Sequence, residues 1–254
     1  MTELLAVDRY AAQIRAAADL LASEAGRAGL ATPVPTCPGW TVADLLAHQA
    51  MVHRWATGHL AGRPHDEPTE EEARSAAGAD PVGYLLAGVD PLLDAIGEAS
   101  DDLEAYVFLA DPPPARIFWA RRQCHETTVH AVDAVAAALG RTPRADEVAL
   151  EADVAADGID ELLRGFLTRR PSRMFAGGDE TIAVVPTDVP ASWTIHVGER
   201  LAITAGADPD AADATFSGTV TALDLALWNR CDDLEVDGDP DLLRRWREAH
   251  RVTW

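Results

Sequence analysis

The chain has 254 residues, of which 48% are apolar, and its formal net charge is −21. That length suits one large or two ordinary domains with a real core. Nucleic-acid affinity comes largely from Lys and Arg side chains that neutralise phosphates, so the charge disfavours nucleic acid and anionic membrane surfaces as partners. No apolar run reaches the roughly 20 residues that span a bilayer, and the start of the chain lacks the basic segment and cleavage site of a signal peptide. We therefore expect a cytoplasmic protein.

The basic residues and the cysteines exclude several further kinds of catalytic and metal-binding site. Every basic side chain is Arg, and the absence of Lys excludes Schiff-base chemistry and a P-loop lysine. The three cysteines, Cys37, Cys124 and Cys231, are odd in number and far apart. Their spacing predicts neither a disulfide framework nor a CxxC metal site. We expect small, buried, reduced side chains.

Four helices are predicted in the first part of the chain. Residues 5–25 have apolar positions at the three- and four-residue spacing of an amphipathic helix. A second helix should span residues 42–60, with Thr41 as its N-cap and Asp44 at the third position of a capping box. Residues 62–80 are acidic and rich in Pro and Gly, so we expect a solvated loop. A third helix covers residues 81–100, with a kink or break near Pro91.

The fourth helix follows the break at ADPPPAR and ends near Leu139. After it the pattern changes: residues 148–170 look helical, four short β-rich runs follow, and two helices close the chain. The stretch DGDP at 237–240 should be a turn and helix cap. The fold class is therefore α followed by α+β, with a helical bundle over residues 1–147 and a small α+β domain over 148–254.

A carboxylate and an imidazole share one stripe of the fourth helix. Residues four apart on an α-helix are separated by about 40° around its axis, so Glu126 and His130 point the same way. Arg122 and Asp133 lie near the same stripe. His125, about 140° from His130, should point elsewhere. Glu126 is therefore the natural partner of His130.

The second helix contributes a further imidazole, His48, among apolar residues and one turn after Asp44. If both helices face inward, two imidazoles and one carboxylate meet, which is the ligand set of a catalytic zinc or similar divalent site with a position left for water. Helix bundles build such sites between facing helices. Asp44 or Asp133 could orient a ligating imidazole. The spacing leaves an alternative open, a buried Glu–His–Arg hydrogen-bond network without metal.

Several motifs together resemble the mycothiol-dependent maleylpyruvate isomerase family. They are the CPGW turn at residues 37–40, the helix that carries His48, and the R-x-x-x-E-x-x-x-H-x-x-D run from Arg122 to Asp133. The tail FSGTVTALDLALWNR…LEVDGDPDLLRRW is similar to the small C-terminal domain of that family. The resemblance covers nearly the whole chain. It implies a DinB-like four-helix bundle followed by a small α+β domain that resembles sterol-carrier folds.

The resemblance also implies a mechanism. It implies a divalent metal, usually zinc, held by His48, Glu126 and His130, and mycothiol, a low-molecular-weight thiol, as cosubstrate. A metal that binds a thiol deprotonates it, and the thiolate is the nucleophile. Addition to a double bond, rotation and expulsion would give cis–trans isomerisation, whereas displacement of a leaving group would give S-transfer. The same ligands serve both reactions, so the sequence leaves both open.

A substrate carboxylate would need an arginine, and Arg54, Arg63, Arg74 and Arg122 are all candidates. Arg122 is our candidate catalytic residue, although it could equally pair with Glu126. We expect Trp40 to be structural and Trp55 to pack in the core, and we expect only packing or surface roles for His59 and His196.

The expected partners are a small-molecule electrophile and a thiol, with the chain acting as a monomer or homodimer. A second function class remains open at this point: a non-catalytic protein that binds a metal and a small hydrophobic ligand. Intact metal ligands favour the enzyme.

Overall fold

The computed structural model describes residues 4–64 and 66–251. The outer ends of the two predicted domain ranges, 1–3 and 252–254, lie outside the described residues. The described chain divides into a helical unit within residues 5–143 and an α+β unit from residue 144 onward, to which Leu4 and residues 109–111 also belong. The predicted fold class, a helical bundle followed by a small α+β unit, is confirmed.

Five helices make up the helical unit: α1 (Val7–Ala28), α2 (Val42–Leu60), α3 (Glu70–Ala77), α4 (Pro81–Glu98) and α5 (Ala115–Leu139). The four long helices form the bundle, since α1 and α2 each pack against both α4 and α5. Apolar side chains from all four helices meet in its core, among them Leu21, Leu45, Leu85 and Ala131. The three- and four-residue apolar spacing of the sequence accounts for this arrangement.

Local sequence signals fix the ends of the helices that carry the predicted ligands. Helix α2 begins as predicted, because Thr41 and Asp44 form a capping box that satisfies backbone N–H groups of the first turn. Helix α5 ends at Gly140, which takes the left-handed conformation with φ of 70°. Glycine adopts that conformation without a steric penalty.

The structure corrects two expectations for the helical unit, the loop over residues 62–80 and a break, as opposed to a kink, at Pro91. Residues 62–80 are not a loop throughout, because they contain α3, which starts at a second capping box formed by Thr69 and Glu72. Helix α4 continues through Pro91 instead of breaking there. Proline removes one backbone hydrogen bond from a helix, and the buried side chains on both sides of it, Val89 and Leu92, hold the helix against the core.

The α+β unit packs three helices on a five-stranded sheet. The helices are α6 (Ala152–Asp160), α7 (Val220–Leu227) and α8 (Pro240–Ala249), and the strands are β1 (Glu180–Pro186), β2 (Trp193–Val197), β3 (Leu201–Ala205), β4 (Ala214–Gly218) and β5 (Glu235–Gly238). The strand order is β3-β2-β1-β4-β5. Only the β1–β4 pair is parallel among the pairs of this sheet. The core lies between sheet and helices and includes Ile182, Trp193, Phe216, Leu223 and Trp246.

The sequence predicted this unit less completely than the helical one. The helix expected over residues 148–170 starts only at Ala152 and changes to a π-helical turn at Glu161–Phe166. Strand β5 was not predicted. Asp237 and Gly238, expected in a turn, are its last two residues, whereas Asp239 caps α8 as predicted. Over the described ranges, no helix combines the length and the apolar character that crossing a bilayer requires.

Candidate metal centre

The side chains of His48, Glu126 and His130 converge between α2 and α5. Oε1 of Glu126 lies 3.3 Å from Nε2 of His130 and 3.6 Å from Nε2 of His48. One potential ligand atom from each residue lies within 4.8 Å of the other two. Both imidazoles are buried, and Glu126 is partly exposed. The two helices therefore face each other through the stripe on which the sequence places these residues.

A carboxylate holds the far nitrogen of each imidazole. Nδ1 of His130 donates to Oδ2 of Asp133 at 2.9 Å, and Nδ1 of His48 donates to Oε1 of Glu70 at 2.7 Å. An ionised carboxylate can only accept a hydrogen bond, so the proton of each neutral ring sits on Nδ1. Both Nε2 atoms then face Glu126. Carboxylate–histidine pairs of this kind fix the orientation of metal-binding imidazoles.

Of the two orienting carboxylates expected from the sequence, only Asp133 contacts an imidazole of the cluster. Asp44 lies elsewhere, because its Oδ2 accepts hydrogen bonds from the backbone N–H and the hydroxyl of Thr41 in the capping box. Glu70, expected to be a solvated residue, takes the place beside His48. The T-x-x-E pattern at residues 69–72 could have revealed α3, but no local signal in the sequence connects Glu70 with His48.

Two residues of the turn before α2 contact the carboxylate of Asp133. The hydroxyl of Thr36 donates to Oδ1 of Asp133 at 2.5 Å, and Sγ of Cys37 lies 3.2 Å from Oδ2. Together with His130, three donors converge on one fully buried carboxylate. Hydrogen bonds to the ionised form compensate for the burial of such a charge. As expected, all three cysteines of the chain are buried and unbridged.

Arg122 binds the second oxygen of Glu126. Its guanidinium donates to Oε2 at 2.8 Å, and its side chain is only 3% exposed. Burial alone would raise the pKa of Glu126, but the charge of Arg122 and the hydrogen bonds of His130 and His48 hold this pKa well below its usual value. Glu126 is therefore an anion whose Oε1 is directed at both imidazoles.

The cluster favours a positive charge at its centre. Burial alone would lower the pKa of His48, yet hydrogen bonds and charge from Glu126 and Glu70 raise it to about 9. Without a metal, His48 therefore carries a second proton, on Nε2, and is cationic near neutral pH. A divalent cation bound between the two Nε2 atoms and Oε1 would take over the role of that proton.

The donor set fits zinc. Two imidazole nitrogens and a carboxylate oxygen are a ligand set of catalytic zinc sites, which keep a further position open. A second group that could in principle hold an ion is Cys37, His130 and Asp133. We favour the first group, because Asp133 already accepts hydrogen bonds on both oxygens. Glu126 also gives the first group an exposed edge, whereas all three members of the second are buried.

Two further histidines of α2 and α5, His53 and His125, have different surroundings. His125 is buried with its ring 6.3 Å from that of Tyr10. His53 is buried, and its Nε2 contacts the hydroxyl of Thr127 at 2.9 Å. Because that hydroxyl donates to a backbone carbonyl, it must accept from His53. Burial lowers the pKa of His53 to about 3.

Three of the four candidate arginines contact groups other than the predicted ligands or lie at the surface. The guanidinium of Arg54 lies 3.6 Å above the ring of Tyr84 and donates to two backbone carbonyls. Arg74 lies 3.4 Å from Asp44, and Arg63 is exposed. Arg122 is the candidate that contacts the cluster of His48, Glu126 and His130, through Glu126.

One tryptophan lies against the cluster, and a separate group of aromatic residues packs at the far end of α2. The Trp40 ring lies 4.9 Å from that of His48 and 6.1 Å from that of His130. Trp55 packs against Trp119, on which His59 stacks with ring planes 11° apart. A cavity of about 690 Å³ opens beside His59. We place the candidate site at His48 instead, because the converging ligand atoms lie there.

Comparison with known proteins shows what this chain resembles. Residues 11–135 match the model of the mycothiol maleylpyruvate isomerase N-terminal domain, and residues 153–245 match that of the MDMPI C-terminal domain. A search of curated proteins finds no significant match.

Two solved structures share the fold over most of their length. One is a crystal structure of the mycothiol-dependent maleylpyruvate isomerase, with a TM-score of 0.64, and the other is a His-to-Ala mutant of that isomerase, with a TM-score of 0.61. Each is 16% identical in sequence, and each match covers 93% of this chain and 96% of the solved one. The two domain models together account for most of the chain. The chain therefore belongs to the mycothiol-dependent maleylpyruvate isomerase family.

Proposed function

We propose that the chain is a metal-dependent isomerase that uses mycothiol as its nucleophile and acts on a small electrophilic substrate. The observation that carries the proposal is the convergence of His48, Glu126 and His130, with a carboxylate behind each imidazole. Family membership supplies the thiol, since the similar solved enzyme is described as mycothiol-dependent.

We propose His48, Glu126 and His130 as the ligands of a divalent metal, with zinc as the ion that this donor set fits best. When bound, the metal supplies a Lewis acid that lowers the pKa of a thiol and leaves one exchangeable position for it. The thiolate is then available to attack an electrophilic carbon.

The other residues of the cluster prepare this site. Arg122 holds Oε2 of Glu126, which keeps the carboxylate ionised and leaves Oε1 toward the centre. Asp133 holds the proton of His130 on Nδ1, so that Nε2 faces the centre. The buried ring of Trp40 lies against both imidazoles and limits the access of water from its side. A second role for Arg122, contact with a substrate carboxylate, remains part of the proposal.

Isomerisation and S-transfer would begin alike, with attack of the thiolate on the substrate. In isomerisation the thiolate adds to a carbon–carbon double bond, the resulting single bond rotates, and expulsion of the thiolate restores the double bond. In S-transfer another group leaves instead, and the thiol stays on the product. The family name favours isomerisation, which we propose as the reaction, with S-transfer as the competing outcome.

The proposal can be tested with purified protein. Elemental analysis of protein prepared without chelator should find one divalent metal per chain. With mycothiol present, a panel of cis-configured unsaturated acids and of electrophiles with a leaving group should show turnover that stops when the metal is removed.

Replacement of the metal by cobalt gives an independent reading. Addition of mycothiol to the cobalt protein should produce a thiolate-to-metal charge-transfer band in the near ultraviolet. Protein that binds no metal, or cobalt protein without a band at saturating thiol, would contradict the proposed enzyme and favour a non-catalytic binding protein.

A further inference from the structure

We propose that Glu70, on the short helix α3, is the residue that positions His48 for metal binding. This inference rests on the proposed metal site. It assigns a role at that site to the acidic segment between α2 and α4, which contains none of the proposed ligands. Glu70 would act through His48 and would not itself touch the metal.

The contact between the two side chains is close and sheltered. Oε1 of Glu70 accepts a hydrogen bond from Nδ1 of His48 at 2.7 Å, with the two side chains 30% and 4% exposed. A charge-assisted hydrogen bond of this length, largely removed from water, is strong for a protein. It fixes both the rotation of the imidazole and the nitrogen that carries the proton. Nε2 is then left facing Glu126, 3.6 Å away.

Helix α3 holds Glu70 beside His48. Glu70 is the first residue of the helix, directly after the N-cap Thr69, whose capping box with Glu72 closes the first turn. The buried side chains of Ala73 and Ala77 belong to an apolar cluster with three residues of α2, Ala47, Met51 and Val52. This packing places α3 on the stretch of α2 that flanks His48.

The arrangement mirrors the one at the other imidazole. His130 has Asp133 on its own helix three residues later, whereas His48 receives its carboxylate from a different helix 22 residues away. Partners of this kind typically contribute 10–100-fold to metal affinity. The two carboxylates that follow Glu70 on α3 lie elsewhere, because Glu71 is exposed and the Glu72 carboxylate accepts hydrogen bonds from Thr69.

A graded set of variants tests the role. Metal affinity is measured by competition with a chromophoric chelator, using zinc and the full chain. Glu70→Ala should weaken zinc binding about 10–100-fold. Glu70→Gln should weaken it less, because its amide oxygen can still accept from Nδ1. Glu71→Ala, which removes the adjacent exposed carboxylate, is the matched control and should bind zinc like the original chain.

Nitrogen-15 NMR of the zinc-loaded protein reads the position of the ring directly. The original chain should show a protected Nδ1–H of His48 with its Nε2 in the zinc-bound form, and Glu70→Ala should lose that protected proton. A merely structural role of Glu70 would leave this signal unchanged. Circular dichroism checks that each variant is folded. If Glu70→Ala does not fold, Glu70→Gln serves as the test variant. Its Nδ1–H signal should persist at a shifted frequency.

The possible failures are separable. If the original chain binds no zinc, or if His48→Ala binds it as tightly as the original chain, the proposed metal site is wrong. If the original chain binds zinc through His48 but Glu70→Ala matches Glu71→Ala in affinity and keeps the protected Nδ1–H, the site stands and the role of Glu70 is wrong.

Discussion

Glu126 divides its two oxygens between different partners, with Oε1 toward the imidazoles and Oε2 toward Arg122. Glu126→Gln should therefore weaken zinc binding by more than the roughly 10–100-fold that an outer partner costs, because it removes a ligand charge. His125→Gln, on the adjacent position of α5, should bind zinc almost normally. Titration with zinc measures the affinity of both variants. Equal losses of affinity would contradict the assignment of Glu126, and not His125, to the side of α5 that faces the zinc site.

The convergence of His48, Glu126 and His130 was predictable from sequence because each lies on a long helix with a clear inward stripe. The four-residue spacing placed Glu126 and His130 together, and the apolar neighbours of His48 turned it inward. The sequence left Asp44 and Asp133 both open as the orienting carboxylate, and the structure places only Asp133 beside His130. The Glu70 contact was not predictable in this way, because it joins two helices and no periodicity relates them.

His53 makes the stability of the helical unit depend on pH. Burial lowers its pKa from 6.5 to about 3, so between these values the unfolded chain binds a proton that the folded chain does not. Its contribution to stability is complete above pH 6.5 and is lost progressively as the pH falls toward 3. From pH 7 to pH 5 this histidine alone should lower the free energy of unfolding by about 2 kcal/mol.

Chemical denaturation at pH 7 and pH 5 measures that loss. His53→Gln should reduce the difference in unfolding free energy between the two pH values by about the amount that His53 supplies, whatever its effect on stability at pH 7. His196→Gln is the control, since His196 is exposed on β2, and it should keep the full difference. If both variants keep it, His53 titrates normally in the folded protein.

Two capping boxes of the same type begin helices of very different burial. Thr41 caps α2, where 14 of 19 residues are buried, and Thr69 caps α3, where two of eight are. Replacing an N-cap threonine by alanine costs about 0.5–2 kcal/mol of helix stability. Thr41→Ala should lower the free energy of global unfolding by that amount, because α2 is part of the bundle core.

Thr69→Ala should act locally instead. We expect it to speed amide hydrogen exchange in α3 while leaving global unfolding nearly unchanged, since only two of the eight residues of α3 are buried. Mass spectrometry measures hydrogen exchange over residues 69–78, and denaturation curves measure the global stability of both variants. Together they distinguish local opening of α3 from global unfolding. A fall in global stability for Thr69→Ala equal to that of Thr41→Ala would show that α3 unfolds only with the bundle.

The elements that the sequence analysis missed share weak local signals. Helix α3 has eight residues in a segment rich in Pro, Gly and acidic side chains, and isolated helices of that length are marginal in water. Strand β5 has four residues, and its Asp237 and Gly238 are types that turns prefer. Both are held by neighbouring elements, α2 and β4 respectively. The long helices and the four longer strands carry their own periodicity and were predicted.

At the scale of the whole chain, the division into residues 1–147 and 148–254 remains a prediction. Between the end of α5 at Leu139 and the start of α6 at Ala152, the structure has only a single 3₁₀ turn, Ala145–Glu147. We expect limited digestion with a protease of broad specificity to cut between residues 140 and 153. Mass spectrometry of the fragments locates the cut, and early cleavage within Val42–Leu60 with the 140–153 segment intact would contradict the division.

The position of Trp40 should make metal binding at His48 and His130 detectable by fluorescence. Its indole lies against both imidazoles, so exchange of a ring proton for a metal ion alters the charge next to the chromophore. Zinc titration should therefore change the emission of the original chain, and Trp40→Phe should abolish most of that change while still binding zinc. The difference between the two emission spectra would isolate one indole from the other tryptophans and give an optical measure of metal occupancy that needs neither substrate nor thiol.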